Sequence, residues 1–367
     1  MKSLFDLYSE QKKSYYQIDC NAGELFTYNL EESQSECLAF LEQHYEKGEK
    51  EDLFNRDLTP QYNRHGKHTH SASLYLLGMT LLSTFKTNIN NRLKSFVPDY
   101  ASWCEDDYDF QYIWFLPAMY HDFASCIELG TIHANDSEQH RSLRFHFGDH
   151  NICYSPYRSF PYKVDNIPFR FSPELIENYF YYRACHGKCE HGIIAGYLFF
   201  DGFVKNFLKK TKDCFNRCGS MNRYGLNWNI GHLTFAAYAA DAIICHNIWL
   251  GGKTEKETYT QYGLTSLVYT EHPESKLSVE AFPLQFMLCL LDTIEPIKRF
   301  KDTLSPREIL QGIKLDYTAD DEIIISWEAD IEQQKGFGQW KDGIIDVQNW
   351  MCIRVAGKDN HVRITFY

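Results

Sequence analysis

Six residues of metal-ligand type stand in apolar surroundings along the 367-residue chain. His121 and Asp122 are adjacent in AMYHDFASC, His246 closes AYAADAIICHNIW, and Asp292 lies in FMLCLLDTIE. His70 heads HSASLYLLG and His191 heads HGIIAGYLFF. At helical spacing His246 shares a face with Ala239, Ala242 and Ile243, Asp292 with Leu284 and Leu288, and Asp122 with Ala118 and Met119. A carboxylate buried on such a face costs several kcal/mol unless it is paired or binds a metal. Two carboxylates with several imidazoles are most simply explained by shared cations, and that donor set suits Mn, Fe, Ni, Co, Zn or Mg. Each residue alone has a plainer reading. A single histidine on an apolar helix is ordinarily a hydrogen-bonded core residue, and Asp122 can be paired by an arginine such as Arg64 or Arg299.

The elements that must carry these residues are mostly helices. Leu74, Leu77, Leu81 and Leu82 form an apolar stripe from Ser71 onward. YIWFLPAMYHDFASCIELG reads as a buried helix with Pro117 near its start. Ser172-Pro173-Glu174 is a start signal for the next helix. EHGIIAGYLFFDGFVKNFLKK, the Ala-rich LTFAAYAADAIICHNIW and FPLQFMLCLLDTIEPIKRF follow, with paired glycines expected to stop the second and Pro296 near the end of the third. Residues 130–172 read as a long irregular insertion, a kind of segment that often carries function. After residue 303, DEIIISWEAD and NHVRITFY read as strands, with an ambiguous stretch between them. The fold class expected is therefore mainly α, with a helical extension over 1–60, a helical body over 61–303 and a small α+β appendage over 304–367.

Composition narrows the setting. The balance of 44% hydrophobic and 23% charged residues is that of a globular chain. No apolar run reaches the roughly 20 residues a membrane span needs, and the first residues lack a secretion-type apolar region. Twelve cysteines in no scaffold pattern point to free thiols and a cytoplasmic location. A net charge of −12 disfavours a long nucleic acid as partner. It leaves room for a small phosphate-bearing substrate, because a bound metal reverses the local sign.

The ordered set His70, His121-Asp122, His191, His246, Asp292 resembles the HD superfamily of metal-dependent phosphohydrolases over about residues 65–300. The first histidine with SASLYLLG, the His-Asp doublet, His191-Gly192, His246-Asn247 and Asp292 before TIEPIKR carry the likeness. The resemblance implies an HD-type helical bundle and two divalent metal ions. Asp122 would bridge the two ions. His70, His121 and Asp292 would complete one site, and His191 and His246 the other, with His186 a candidate to fill it. A hydroxide between the ions would attack a phosphate ester or phosphodiester of a nucleotide-like small molecule. The same ligands resemble those of the superfamily's di-iron oxygenases, and an inactive sensor with the same fold is the third reading. An oligomer is left open.

One departure concerns proton donation. Many members follow the doublet with Gly-Lys, whereas this chain has Phe123-Ala124-Ser125. Lys188, or the loop histidines His133, His140, His146 and His150, are the replacements considered, and Arg144 and Arg141 are candidates to hold phosphate through the guanidinium fork. His65 and His68 rival His70 as first ligand, and the distance to Gly78 favours His70. Cys185 with Cys189 and Cys214 with Cys218 are read as free thiols, since zinc knuckles use shorter spacing. Gly251-Gly252-Lys253 is read as a turn rather than a phosphate loop.

Overall fold

Apolar residues at helical spacing organise most of the chain, and their stripes pack onto one another. The computed structural model describes residues 1–8, 10–11, 67–96, 107–125, 141–158, 167–217, 230–300, 303–318, 322–358 and 360–367. Arg64, His65, His133, His140 and Cys218 lie outside the described residues, as do the side chains of His68 and Cys214. The chain begins with strand β1 (Lys2–Ser3) and a helical turn over 4–8. The helical extension expected over 1–60 is thus a strand at its first described element, and residues 12–60 lie outside the description.

The helical body comprises α1 (Lys67–Thr80), α2 (Leu82–Lys94), α3 (Asp107–Tyr120), α4 (Leu143–Asp149), α5 (Pro173–Cys185), α6 (His191–Arg217) and α7 (Ile230–Cys245). The short α8 (Lys256–Gln261), α9 (Pro283–Ile294) and the single turn α10 (Ile297–Phe300) complete it. Helix α7, buried on every side from Leu233 to Cys245, packs on α3, α6 and α9, while α1 packs on α3, α9 and α10. Helices α6 and α7 approach closely because two glycines four residues apart face the contact. A Cβ at Gly192 would stand 2.7 Å from His246 Cε1, and one at Gly196 would stand 2.5 Å from Ile244 Cγ1.

Several boundaries differ from expectation, for local reasons. Among the described residues α1 already runs from Lys67, so His70 lies within the helix rather than at its first residue. Pro117 sits in the last turn of α3, where it has no N–H to bond the carbonyl four residues back; the helix stops at Tyr120, and His121 and Asp122 occupy the turn beyond it. Helix α7 ends at Cys245, before the paired glycines; Gly252 N–H donates to Glu255, which closes the turn read there. Ser172 caps α5 by accepting from Leu175 N, with Pro173 as first helical residue. The irregular insertion contains a short helix, α4, with Ser142 as its cap.

The C-terminal part is a small antiparallel sheet with helices against it. After α11 (Pro306–Gly312), capped by a Ser305–Glu308 box, come β2 (Ile313–Thr318), β3 (Glu322–Trp327), α12 (Ala329–Glu332), α13 (Phe337–Asp346), β4 (Ile353–Lys358) and β5 (His361–Phe366). The order across the sheet is β1-β2-β3-β5-β4. In β3, Ile323, Ile325 and Trp327 alternate inward, as period two requires. The ambiguous stretch resolves into α12, α13 and β4. One continuous hydrophobic cluster joins sheet and helices: Phe366 packs on Phe85 and Phe286, and Trp340 Nε1 donates to Ile294 O at 3.2 Å. Among the described residues no helix is long and apolar enough to cross a membrane.

Candidate metal centre

Helix ends from five elements meet at one place. His70 comes from α1, His121 and Asp122 from just past α3, and His191 from the first residue of α6. His246 comes from just past α7, and Asp292 from the last turn of α9. His70, His121, Asp122 and His246 are buried, while the side chains of His191 and Asp292 are 13% and 19% exposed. The centre therefore opens on the side of His191 and Asp292.

Two overlapping triads have ligand atoms within 4.8 Å of one another: His70, His121 and Asp292; and His121, Asp122 and His246. His70 Nε2 is 3.2 Å from His121 Nε2 and 2.9 Å from Asp292 Oδ1. Asp122 faces both ways. Its Oδ2 lies 3.6 Å from His70 Nε2 and 3.4 Å from His121 Nε2, and its Oδ1 lies 2.9 Å from His191 Nε2. His191 and His246 stand with ring centroids 5.7 Å apart.

The tautomers follow from the acceptors behind each ring. His121 Nδ1 meets Ala118 O at 2.9 Å, His246 Nδ1 meets Ile243 O at 2.5 Å, and His70 Nδ1 meets Glu295 Oε2 at 2.6 Å. An oxygen without a proton requires N–H in each case, so Nδ1 carries a hydrogen and Nε2 is the ring atom left to meet a cation, whether proton or metal. The three Nε2 atoms point into the cluster. Lone pairs 3.2 Å apart repel unless a cation lies between them, and that is the arrangement metal-binding imidazoles adopt. These residues fit a divalent cation.

Ionisation tells the same story. Burial opposes charge on His121, but Asp122 and Asp292 outweigh it and hold the imidazole up at about 9. A proton then serves as the cation. Burial, with His121 and His191 beside it, pushes His246 down to about 3 and keeps it neutral. Burial also opposes charge on Asp292, yet Lys298, His121 and His70 together hold its carboxyl well below the usual range.

Three participating residues carry no recognisable ligand spacing in the sequence. Glu295, fully buried, accepts from His70, from Ser73 Oγ at 2.6 Å and from Ile297 N at 3.1 Å. Lys298 Nζ lies 2.5 Å from Asp292 Oδ1, because the break at Pro296 turns α10 back toward the centre. The Asn247 amide lies 2.8 Å from His191 Nε2. The only signals for the first two are TIEPIKR itself, and for the third the His-Asn pair.

The other expected residues have these surroundings. Lys188 is exposed in the turn before His191, where Gly187 (φ 74°) lets Lys188 N bond Arg183 O and Gly187 N bond Ala184 O. Arg144 is exposed on α4, and Arg141 reaches Cys185 Sγ at 3.9 Å. His186 is exposed, with Nδ1 on Tyr182 O and its ring against Tyr182 and Tyr262. His146 and His150 stack with centroids 6.3 Å apart. Cys185 and Cys189 are free thiols. Compared with family models, curated proteins and solved structures, the chain matches none.

Proposed function

We propose that this centre binds divalent metal ions, two in number, and that the protein is an HD-type phosphohydrolase acting on a phosphate ester or phosphodiester of a nucleotide-like small molecule. The observation that carries the reading is the convergence of three Nδ1-protonated histidines on Asp122, whose two oxygens face opposite sides of the cluster. Bound ions would supply a water of lowered pKa and Lewis-acid stabilisation of a phosphoryl oxygen. The protein's own groups supply the rest. Glu295 and two backbone carbonyls fix the ring orientations. Lys298, on the open side beside Asp292, takes the role left empty by Phe123-Ala124-Ser125: its ammonium attracts the phosphoryl oxygens and gives a proton to the departing oxygen as the phosphorus–oxygen bond breaks. The apolar surroundings of His70, His121 and His246 exclude competing water.

The test is a metal-by-substrate screen. Metal-free protein is reloaded with Mn, Fe, Ni, Co, Zn or Mg and offered nucleoside phosphates and cyclic nucleotides, with product followed by chromatography. The expected result is metal-dependent release of phosphate or nucleotide that Asp122→Ala abolishes. Iron-dependent consumption of dioxygen without phosphate release would replace this reading with the oxygenase one. Metal binding with no chemistry on any substrate would leave a sensor.

A further inference from the structure

A cavity lined by none of the six candidate ligands lies beside α6, and its wall is held by several hydrogen bonds. The chain from Asn151 to Arg158 has no regular structure. It leaves α4 through Asn151 (φ 52°), the left-handed residue of a cap in which Ile152 N bonds Phe147 O. Two buried carboxylates then grip it. Asp201 of α6 accepts Cys153 N at 2.7 Å and Tyr154 N at 2.9 Å, while Lys205 pairs with Asp201 and bonds Asn151 O. Asp241 of α7, fully buried, accepts Tyr157 Oη at 2.8 Å. A buried carboxylate costs several kcal/mol unless it is fully bonded, and here much of that bonding fixes a loop on the surface.

The loop so held walls a cleft of about 410 Å³, lined by Phe147, Tyr154, Tyr157 and Tyr197 with Arg158 and Glu177. That size falls within the range of small-ligand sites. Phe147 and Tyr197, both in the lining, pack at 4.6 Å between centroids with their rings tilted, so the wall there is aromatic. Arg158 is exposed and Glu177 half-buried, and among the described residues no ion pair joins them. The cleft therefore offers aromatic walls, a cation and an anion. Tyr197 is six residues beyond His191 on α6, about 9 Å along the axis and on a different side of the helix.

We propose that this cleft is a binding site for a planar ring compound carrying both an anionic group, held by Arg158, and an N–H donor, held by Glu177. Nucleoside monophosphates and aromatic amino acids share that chemistry. The proposal stands whether or not the metal centre is a hydrolase.

Calorimetry on the metal-loaded protein tests it, with the four common ribonucleoside monophosphates, tryptophan, tyrosine and inorganic phosphate as separate titrants. At least one ring compound is expected to bind more tightly than about 1 mM, and which group binds identifies the source. The rim variants Arg158→Glu and Glu177→Lys, confirmed folded by circular dichroism, are expected to weaken it at least tenfold. Excess chelator is expected to leave the affinity unchanged. Three results would overturn the proposal: no ring compound binding above that level; phosphate alone binding as well as the ring compounds; or affinity lost with chelator but kept in both rim variants, which would place the ligand at the metal centre.

Discussion

At the scale of single residues, a carboxylate behind a histidine has more influence than its distance from the cluster implies. Glu295 fixes His70 with its lone pair inward, and loss of such a partner typically weakens metal affinity 10- to 100-fold. Glu295→Gln is expected to do so in a competition titration with a chelating dye, with the far-ultraviolet spectrum unchanged; unaltered affinity would remove Glu295 from the account. A pH prediction follows from His121. Its folded pKa, about 9, lies above the ordinary imidazole value because Asp122 and Asp292 outweigh burial. The stability it contributes to the metal-free protein is then full below about pH 6.5 and is lost as pH rises toward 9. Thermal melts in chelator should show this decline, and saturating metal, which replaces the proton, should remove it. A flat profile in chelator contradicts the assignment. The clustering residues themselves were legible in the sequence because carboxylates and imidazoles in apolar runs stand out. Glu295 was not, since its partners His70 and Ser73 lie 225 and 222 positions away. Asp241 shows the limit of the same signal. It sits in as apolar a helix as Asp292 does, yet it serves Tyr157, Gln285 and a backbone N–H rather than the centre.

At the scale of elements, the centre depends on how closely α6 and α7 approach. A methyl group at Gly192 would meet His246 at 2.7 Å from Cε1 and 2.9 Å from Nδ1. Gly192→Ala should therefore push His246 off its carbonyl, lower stability by about 1–3 kcal/mol and weaken metal binding. Gly148→Ala on α4 is the control: nothing lies within 4 Å of the added methyl, and helix propensity predicts equal or slightly greater stability. Denaturant melts of both variants decide the matter, and equal behaviour would contradict the close-approach argument. Helix periodicity and the Ser-Pro-Glu start at 172–174 were readable because they are local. The ends of α1 and α3 were less so. The doublet falls just beyond α3, where apolar character continues although the helix has stopped.

At the scale of the whole molecule, the N-terminal segment joins the C-terminal sheet. Lys2 pairs with Leu315 and Ser3 with Lys314, and Tyr8 Oη lies 3.3 Å from Ser73 Oγ, which donates to Glu295. The N-terminal segment, anchored to the sheet through β1, therefore backs the serine that bonds the carboxylate orienting His70. Removing residues 1–8 should expose the β2 edge, lower the melting temperature and weaken metal binding together. Unchanged metal affinity in a folded truncation would uncouple the two. The strands at 322–327 and 361–366 were legible in the sequence, the second in part from alternation, whereas a two-residue strand that pairs more than three hundred positions away has no local signature.

The central claim is that His70, His121, Asp122, His191, His246 and Asp292 form a metal centre. The most direct measurement is elemental analysis of the purified full chain, alongside calorimetric titration of the metal-free protein with Mn, Fe, Ni, Co, Zn and Mg. The account predicts bound divalent metal, approaching two equivalents per chain, and its loss in a folded Asp122→Ala protein. A native protein that contains no metal and takes up none of the six contradicts it.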